Sequence, residues 1–485
     1  MKRIIIYTIA LLLAVSACKV DYDYKFDDIS TYRLGQYIEE CDQMLINEEF
    51  GWKFVYYPEE ETYGGYTFLM KFSKVNEGDE HGTRVLMESD LYIEPTGTID
   101  PVPNQSISSY NYVVSLGPVL SFDTYSLLHF LSDPASNVYG GKAGVGYGGE
   151  FEFLITDVDA AEKKLSLLGK QYKREAVMVP ATQEDWLSLD KQRDIMKDFK
   201  NDPTLSLFQY LVVDNTDTAF INYSSALRMA YLTYVKDGQT VAESYPVYST
   251  PNGVKFKTSA KFGGIEFDEL SFNTNTKLIQ INNPEVEGRY TIFRTSDQAE
   301  NFKLSLPGAV NLARTYADGF SMVERGIDLT NDGSADKMNI FPSGYSIQEF
   351  RFYWNLVGKV GAEVYIHPDG SAAATYARLY GYEMMPDNVG DQIRFIYINQ
   401  SYYTGSVTDE INRWFGMTYS APNLTDAQGP GGGPMHRYVT NIKKINGENI
   451  NRGHTVIPVG KQFYMVQNGN NLAWALYTPL QVSRF

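Results

Sequence analysis

The sequence is poor in the residues that most often carry reactive chemistry. It holds 2 cysteines, 5 histidines and 5 tryptophans among 485 residues. Two cysteines exclude a disulfide-stapled scaffold and a four-cysteine zinc site. His81, His129, His367, His436 and His454 are scattered, and no two have the spacing of paired zinc ligands. No Gly-x-Ser-x-Gly elbow or phosphate-binding loop occurs. Positive charge is also short. Lys and Arg number 42 against 59 Asp and Glu, for a formal charge of -17, which disfavours nucleic-acid and anionic-lipid partners. No apolar run reaches the ~20 residues that a membrane-spanning helix needs.

What is present begins at the N-terminus. Lys2 and Arg3 precede an apolar run, Ile4 to Val15, and small residues Ser16 and Ala17 lead to Cys18. A basic start, a short apolar segment and a small-residue end read as a signal peptide over residues 1–17. Val15-Ser16-Ala17-Cys18 resembles a bacterial lipobox, which implies lipid attachment at Cys18 and anchoring in the outer membrane. Residues 18–30 form an acidic tether resembling a surface-export signal, so exposure at the cell surface is expected. With Cys18 acylated, Cys41 has no partner in the chain. It recurs at helical spacing with Leu34, Tyr37, Ile38 and Leu45, which predicts a buried apolar role.

The body reads as mainly β, with antiparallel barrel or sandwich-like domains and a few connecting helices. Its 37 Tyr and 26 Phe suit strands. Residues 31–200 read as a helix followed by antiparallel strands; Phe68, Met70 and Phe72 alternate with Thr67, Leu69 and Lys71 as in a half-buried strand. A helix over Thr182 to Lys200 closes this region, with Thr182 as cap and Asp185 three residues on. Residues 201–300 read as a second β-rich domain, with turns at Asp237-Gly238, Asn252-Gly253 and Gly263-Gly264. Residues 301–485 read as a third, entered through a helix over Leu306 to Glu324.

Several stretches of the first region belong together. They are Gly51 to Pro58, Gly64 to Phe72, Gly117 to Tyr125, His129, Ser132-Asp133-Pro134 and Gly146 to Phe153. As a set they resemble the Bacteroidetes lipoproteins known only as domain-of-unknown-function family 4302, over about residues 18–300. The resemblance implies a cell-envelope lipoprotein encoded near outer-membrane nutrient-import systems. It carries no activity and no catalytic residue. Within it, Gly64-Gly65 suits a turn, and Asp123 is placed as the cap of a helix carrying His129.

Two candidate sites lie further on. Asp328, Thr330, Asp332 and Asp336 have the oxygen-ligand spacing of a calcium loop, with Gly333 at the sharp turn. Thr330 and Asn339 depart from that pattern, and a polar turn explains the same residues. Calcium is the one cofactor this chain suggests. The densest aromatic clusters contain Tyr353, Trp354, Tyr402, Tyr403 and Trp414, which on an exposed surface would stack against a ligand ring. Core packing is the competing role for each. These features point to a non-enzymatic, lipid-anchored component of nutrient acquisition, with a glycan or peptide ligand and an outer-membrane transporter as partner. A surface polysaccharide hydrolase and a structural partner of the transporter are the alternatives.

Overall fold

The computed structural model describes residues 30–74, 82–92, 102–115, 117–201, 209–273, 275–276, 278–294, 304–326, 345–354, 361–368, 376–402, 439 and 441–479. They form three antiparallel β units, so the chain is mainly β and barrel-like.

The first unit opens with helix α1 (Ser30–Asn47). Nine strands follow: β1 (Trp52–Tyr56), β2 (Tyr66–Lys74), β3 (Thr83–Ser89), β4 (Gln105–Ser108), β5 (Tyr110–Val114), β6 (Pro118–Phe122), β7 (Glu152–Asp159), β8 (Lys164–Gly169) and β9 (Glu175–Pro180). Short helices α2 (Leu127–Phe130) and α3 (Ser136–Tyr139) lie between β6 and β7. The strand order is β4-β3-β2-β1-β9-β8-β7-β6-β5. Alternation sends Trp52, Phe54 and Tyr56 to one face, where they meet Phe68, Met70, Phe122 and Phe153. The sheet curls about α1, whose Cys41 and Leu45 are fully buried in that core. The Trp52 indole donates to the Leu45 carbonyl at 3.0 Å. Asp42 of α1 ties distant strands together. It accepts from the Tyr110 hydroxyl at 2.8 Å and pairs with Lys74 at 2.8 Å.

Helix α4 (Gln183–Asn201) follows, capped as the sequence predicts: Asp185 N–H donates to Thr182 Oγ1 at 3.1 Å, and Thr182 N–H donates to Asp185 at 2.9 Å. Lys53 on β1 adds an ion pair to Asp185 at 2.6 Å, docking the helix start on the first sheet.

The second unit has eight strands: β10 (Gln209–Val213), β11 (Asp217–Ser224), β12 (Met229–Lys236), β13 (Gln239–Thr250), β14 (Gly253–Phe262), β15 (Ile265–Asn273), β16 (Leu278–Ile281) and β17 (Tyr290–Arg294). The order is β16-β15-β14-β13-β12-β11-β10-β17. Its two edges approach each other, because the Tyr290 hydroxyl accepts from Ile281 N–H at 3.1 Å and donates to Ile281 O at 3.0 Å.

The third unit is a closed barrel entered through α5 (Ala309–Tyr316). The expected helix over Leu306 to Glu324 is shorter than its periodicity suggests. Phe320 and Met322 belong instead to β18 (Gly319–Gly326), whose hydrogen bonds to neighbouring strands outweigh helical spacing. The barrel continues through β19 (Tyr345–Tyr353), β20 (Gly361–Pro368), β21 (Tyr376–Met384) and β22 (Gln392–Tyr402). After a hairpin, β23 (Ile442–Ile445) and β24 (Glu448–Asn451), it closes with β25 (His454–Val459), β26 (Gln462–Gln467) and β27 (Asn470–Pro479). An eight-stranded barrel is just wide enough for side chains to fill. Here Phe320, Phe352, Trp354, Phe395, Phe463 and Tyr477 occupy the interior; the Phe463 and Tyr477 rings stack at 5.0 Å.

Contacts between units are specific. Asp90, after β3, and Arg228, before β12, form a fully buried ion pair at 2.7 Å. Arg228 also donates to Gly65 O at 3.0 Å and Asp90 O at 2.7 Å, and lies 4.1 Å over the Tyr66 ring. Asp90 accepts further from Thr67 N–H at 2.9 Å and from Ser249. Gly64-Gly65 is more than a turn. Gly64 N–H donates to Leu227 O at 2.7 Å, and a Cβ at Gly64 would strike the carbonyls of Arg228 and Val247. The second unit meets the barrel through Phe220, Met229 and Tyr231 against Ile457, Tyr464 and Trp474. The β1–β2 turn touches all three units. Glu59 pairs with Lys142 at 2.7 Å, Glu60 with Lys257, and Glu61 with Lys461 at 2.8 Å.

Candidate functional site

A surface site lies on the first unit, where β7 begins and β8 ends. It is a pocket of about 200 Å³ lined by Ser132, Glu150, Phe151, Glu152, Lys170 and Tyr172, with Val145 at one side. Local chain geometry builds it. Tyr147 N–H and Gly149 N–H both donate to Leu131 O at 2.9 Å, which pins the glycine-rich loop against the end of α2. The Lys142–Glu59 pair holds the far side of that loop. Glu150 then turns inward and is only 4% exposed.

The Glu150 carboxylate organises the floor. Oε1 accepts from Tyr172 N–H at 2.8 Å and from Gln171 N–H, fixing the β8–β9 turn. Oε2 is buried and has no hydrogen-bond partner among the described residues. It occupies the space that a Cβ on residue 169 would need, which is why glycine stands there. On the rim, Lys170 Nζ lies 2.7 Å from Glu152 Oε1, so a cationic donor and an anionic acceptor sit side by side.

Aromatic rings flank these polar groups. Phe151 and Tyr172 are each 36% exposed, and Tyr125 is 53% exposed. Phe151 stacks on His129 at 4.3 Å with planes 20° apart, and the Tyr125 ring centre lies 5.3 Å from that of His129. Arg174 sits 4.6 Å over the Tyr172 ring and donates to Gly148 O. Each ring is therefore held in place by a neighbour.

His129 is a supporting group in this arrangement. Its Nδ1 accepts from Ser126 N–H at 3.1 Å, and burial pulls its pKa below the ordinary imidazole range against the nearby Asp123 charge. The cap of α2 is thus Ser126, three residues past the expected Asp123. Asp123 instead accepts from Asn111 at 2.6 Å and Ser121 at 2.9 Å, fastening β5 to β6.

The aromatic residues singled out in the third region fall elsewhere. Tyr353 and Trp354 are both buried, so they form no exposed platform; Trp354 packs with Phe352 inside the closed barrel. Tyr402 ends β22 opposite Ala377. Tyr403 and Trp414, the calcium-loop residues Asp328, Thr330, Asp332 and Asp336, and the anchor Cys18 lie outside the described residues. Among the described residues no group of three or more His, Cys, Asp or Glu is placed to hold a metal.

The exposed aromatics were harder to find in the sequence. Phe151 has the same parity as Phe153, which is fully buried, so alternation predicts both inward. Phe151 escapes because it sits at the bend before β7 starts at Glu152. The available signal was the run Gly148-Gly149, which breaks strand phase just ahead of it.

No curated protein and no solved structure matches the chain. Residues 22–276, more than half of the sequence, match a family described as a domain of unknown function, DUF4302. The match takes in the first unit, with its pocket, and runs into β15's neighbour turn of the second. The chain therefore belongs to the DUF4302 family.

Proposed function

We propose that this protein is a lipid-anchored, non-enzymatic binding protein at the outer membrane, displayed on the cell surface and serving capture of glycans or peptides for an outer-membrane transporter. The anchor rests on the Val15-Ser16-Ala17-Cys18 run after a short apolar segment. The binding role rests on one observation: a polar pocket of about 200 Å³ bordered by exposed, braced Phe151 and Tyr172. A few fixed polar groups with aromatic walls are the usual makeup of a ligand site. Binding is favoured over hydrolysis because neither pocket carboxylate is both accessible and unpaired, Glu150 being buried and Glu152 ion-paired. Glu152 is paired with Lys170 at 2.7 Å, and Glu150 clamps two backbone amides. A glycosidase instead needs one carboxyl free to give up a proton and another free to attack or activate water.

The test has two arms. Fatty-acid labelling of cells should mark the wild type and spare Cys18→Ser; equal labelling of both removes the anchor. Titration of the purified chain against glycan and peptide libraries should give saturable binding without turnover. Release of reducing ends or cleaved peptide would replace binding with catalysis, and silence across both libraries would remove the binding role.

A further inference from the structure

We infer that the Phe151–Tyr172 pocket receives the ring of a neutral sugar; this deepens the binding role proposed above and rests on it. The argument begins with the aromatic walls. Each has one face already covered, Phe151 by His129 at 4.3 Å and Tyr172 by Arg174 at 4.6 Å, while each remains 36% exposed. Rings held in advance lose little freedom when a ligand arrives. Their open faces suit the apolar C–H face of a pyranose.

The polar groups match the sugar's edge. A hydroxyl both donates and accepts. Lys170 Nζ and Glu152 Oε1, 2.7 Å apart on the rim, offer one donor and one acceptor to neighbouring hydroxyls. Beneath them Glu150, 4% exposed, holds the β8–β9 turn that carries Lys170 and Tyr172 in place through its bonds to the Gln171 and Tyr172 amides.

Charge and size narrow the class. The chain carries -17 overall, which disfavours uronates and other acidic sugars. A pocket of about 200 Å³ admits one ring. An extended peptide instead uses a sheet edge or a long groove.

The experiment is calorimetric titration of the full chain in detergent with neutral oligosaccharides, uronate-containing oligosaccharides and a peptide panel. Neutral oligosaccharides should bind. Phe151→Ala and Tyr172→Ala should each weaken that binding about tenfold, while the distant, exposed Tyr32→Ala leaves it unchanged. Circular dichroism checks that each variant is folded, and Phe151→Leu, which keeps an apolar side chain but no ring to stack, should also weaken binding and repeats the test should an alanine variant fail to fold. Neutral-sugar binding indifferent to both alanine variants overturns the site. Binding confined to uronates or peptides overturns the sugar class and leaves the binding role standing. Silence in every arm overturns both.

Discussion

Replacing Arg228 by methionine should separate the first two units energetically. Methionine keeps an apolar stem but removes the guanidinium that lies 2.7 Å from Asp90. It also removes the donors to Gly65 O at 3.0 Å and Asp90 O at 2.7 Å. Asp90 is fully buried, so its carboxylate would face no countercharge there, keeping only Thr67 N–H at 2.9 Å and Ser249 as donors. Breaking a buried pair by removing one partner costs about 3–5 kcal/mol. Against a urea dependence of about 1–3 kcal/mol per molar, that lowers the unfolding midpoint by roughly 2 M. Urea unfolding followed by tryptophan emission is the assay, because Trp52 is fully buried in the first unit's core. Adding Asp90→Asn to Arg228→Met should recover part of the loss, since the uncompensated charge is then gone. A single variant within about 0.5 kcal/mol of wild type would refute the reasoning, because that is the range of a neutral surface change. Strictly additive effects of the two substitutions would refute it equally.

Three other outcomes follow from particular contacts. Thr182→Ala removes the acceptor for Asp185 N–H at 3.1 Å and should cost about 1 kcal/mol by the same urea assay. His129 is held neutral by burial, with its folded pKa below the ordinary value. Its contribution is complete above about pH 6.5 and is lost as pH falls through the folded pKa, because the unfolded chain takes up the proton first. Thermal unfolding between pH 7.5 and 5 should therefore fall less steeply in His129→Gln than in wild type; equal slopes would contradict this. Cys41 is buried, and burial pushes its thiol up to about 11, so a thiol reagent should label it only after denaturant is added.

Much of the sheet structure was legible because alternation and turn residues agree. Phe68, Met70 and Phe72 are buried on β2, as their spacing predicts, but the strand is not half-buried: Thr67 and Leu69 on the other face are buried too, Leu69 packing with Leu189 of α4. Thr182 and Asp185 cap α4 as read, and Cys41 is buried at its helical position. Misreadings came where local pattern is weak or double. Gln105–Ser108 is a strand although three of its four residues are polar, because it pairs with β3 at the sheet edge. His454–Val459 is buried throughout and so shows no alternation. Phe320 fits both a helical stripe and a strand, and barrel closure decided for the strand. The buried pair was beyond reach, since Asp90 and Arg228 are 138 residues apart and nothing local marks either. The pocket lay inside the family motif at Gly146 to Phe153, yet its exposed ring broke parity at a bend.

The turn of three consecutive glutamates has a mechanical consequence. Glu59, Glu60 and Glu61 are fixed to one another by the backbone, while Lys142, Lys257 and Lys461 belong to three different units. Each exposed pair alone contributes about 0–1 kcal/mol. Once one has formed, however, the next finds its partner at high effective concentration, so the three act as a chelate. The turn works as a hinge pin whose stiffness is set by ionic strength. The pairs to Lys257 and Lys461 are the more exposed, so salt slackens those arms first and leaves the Lys142 arm, nearest the pocket, still fastened.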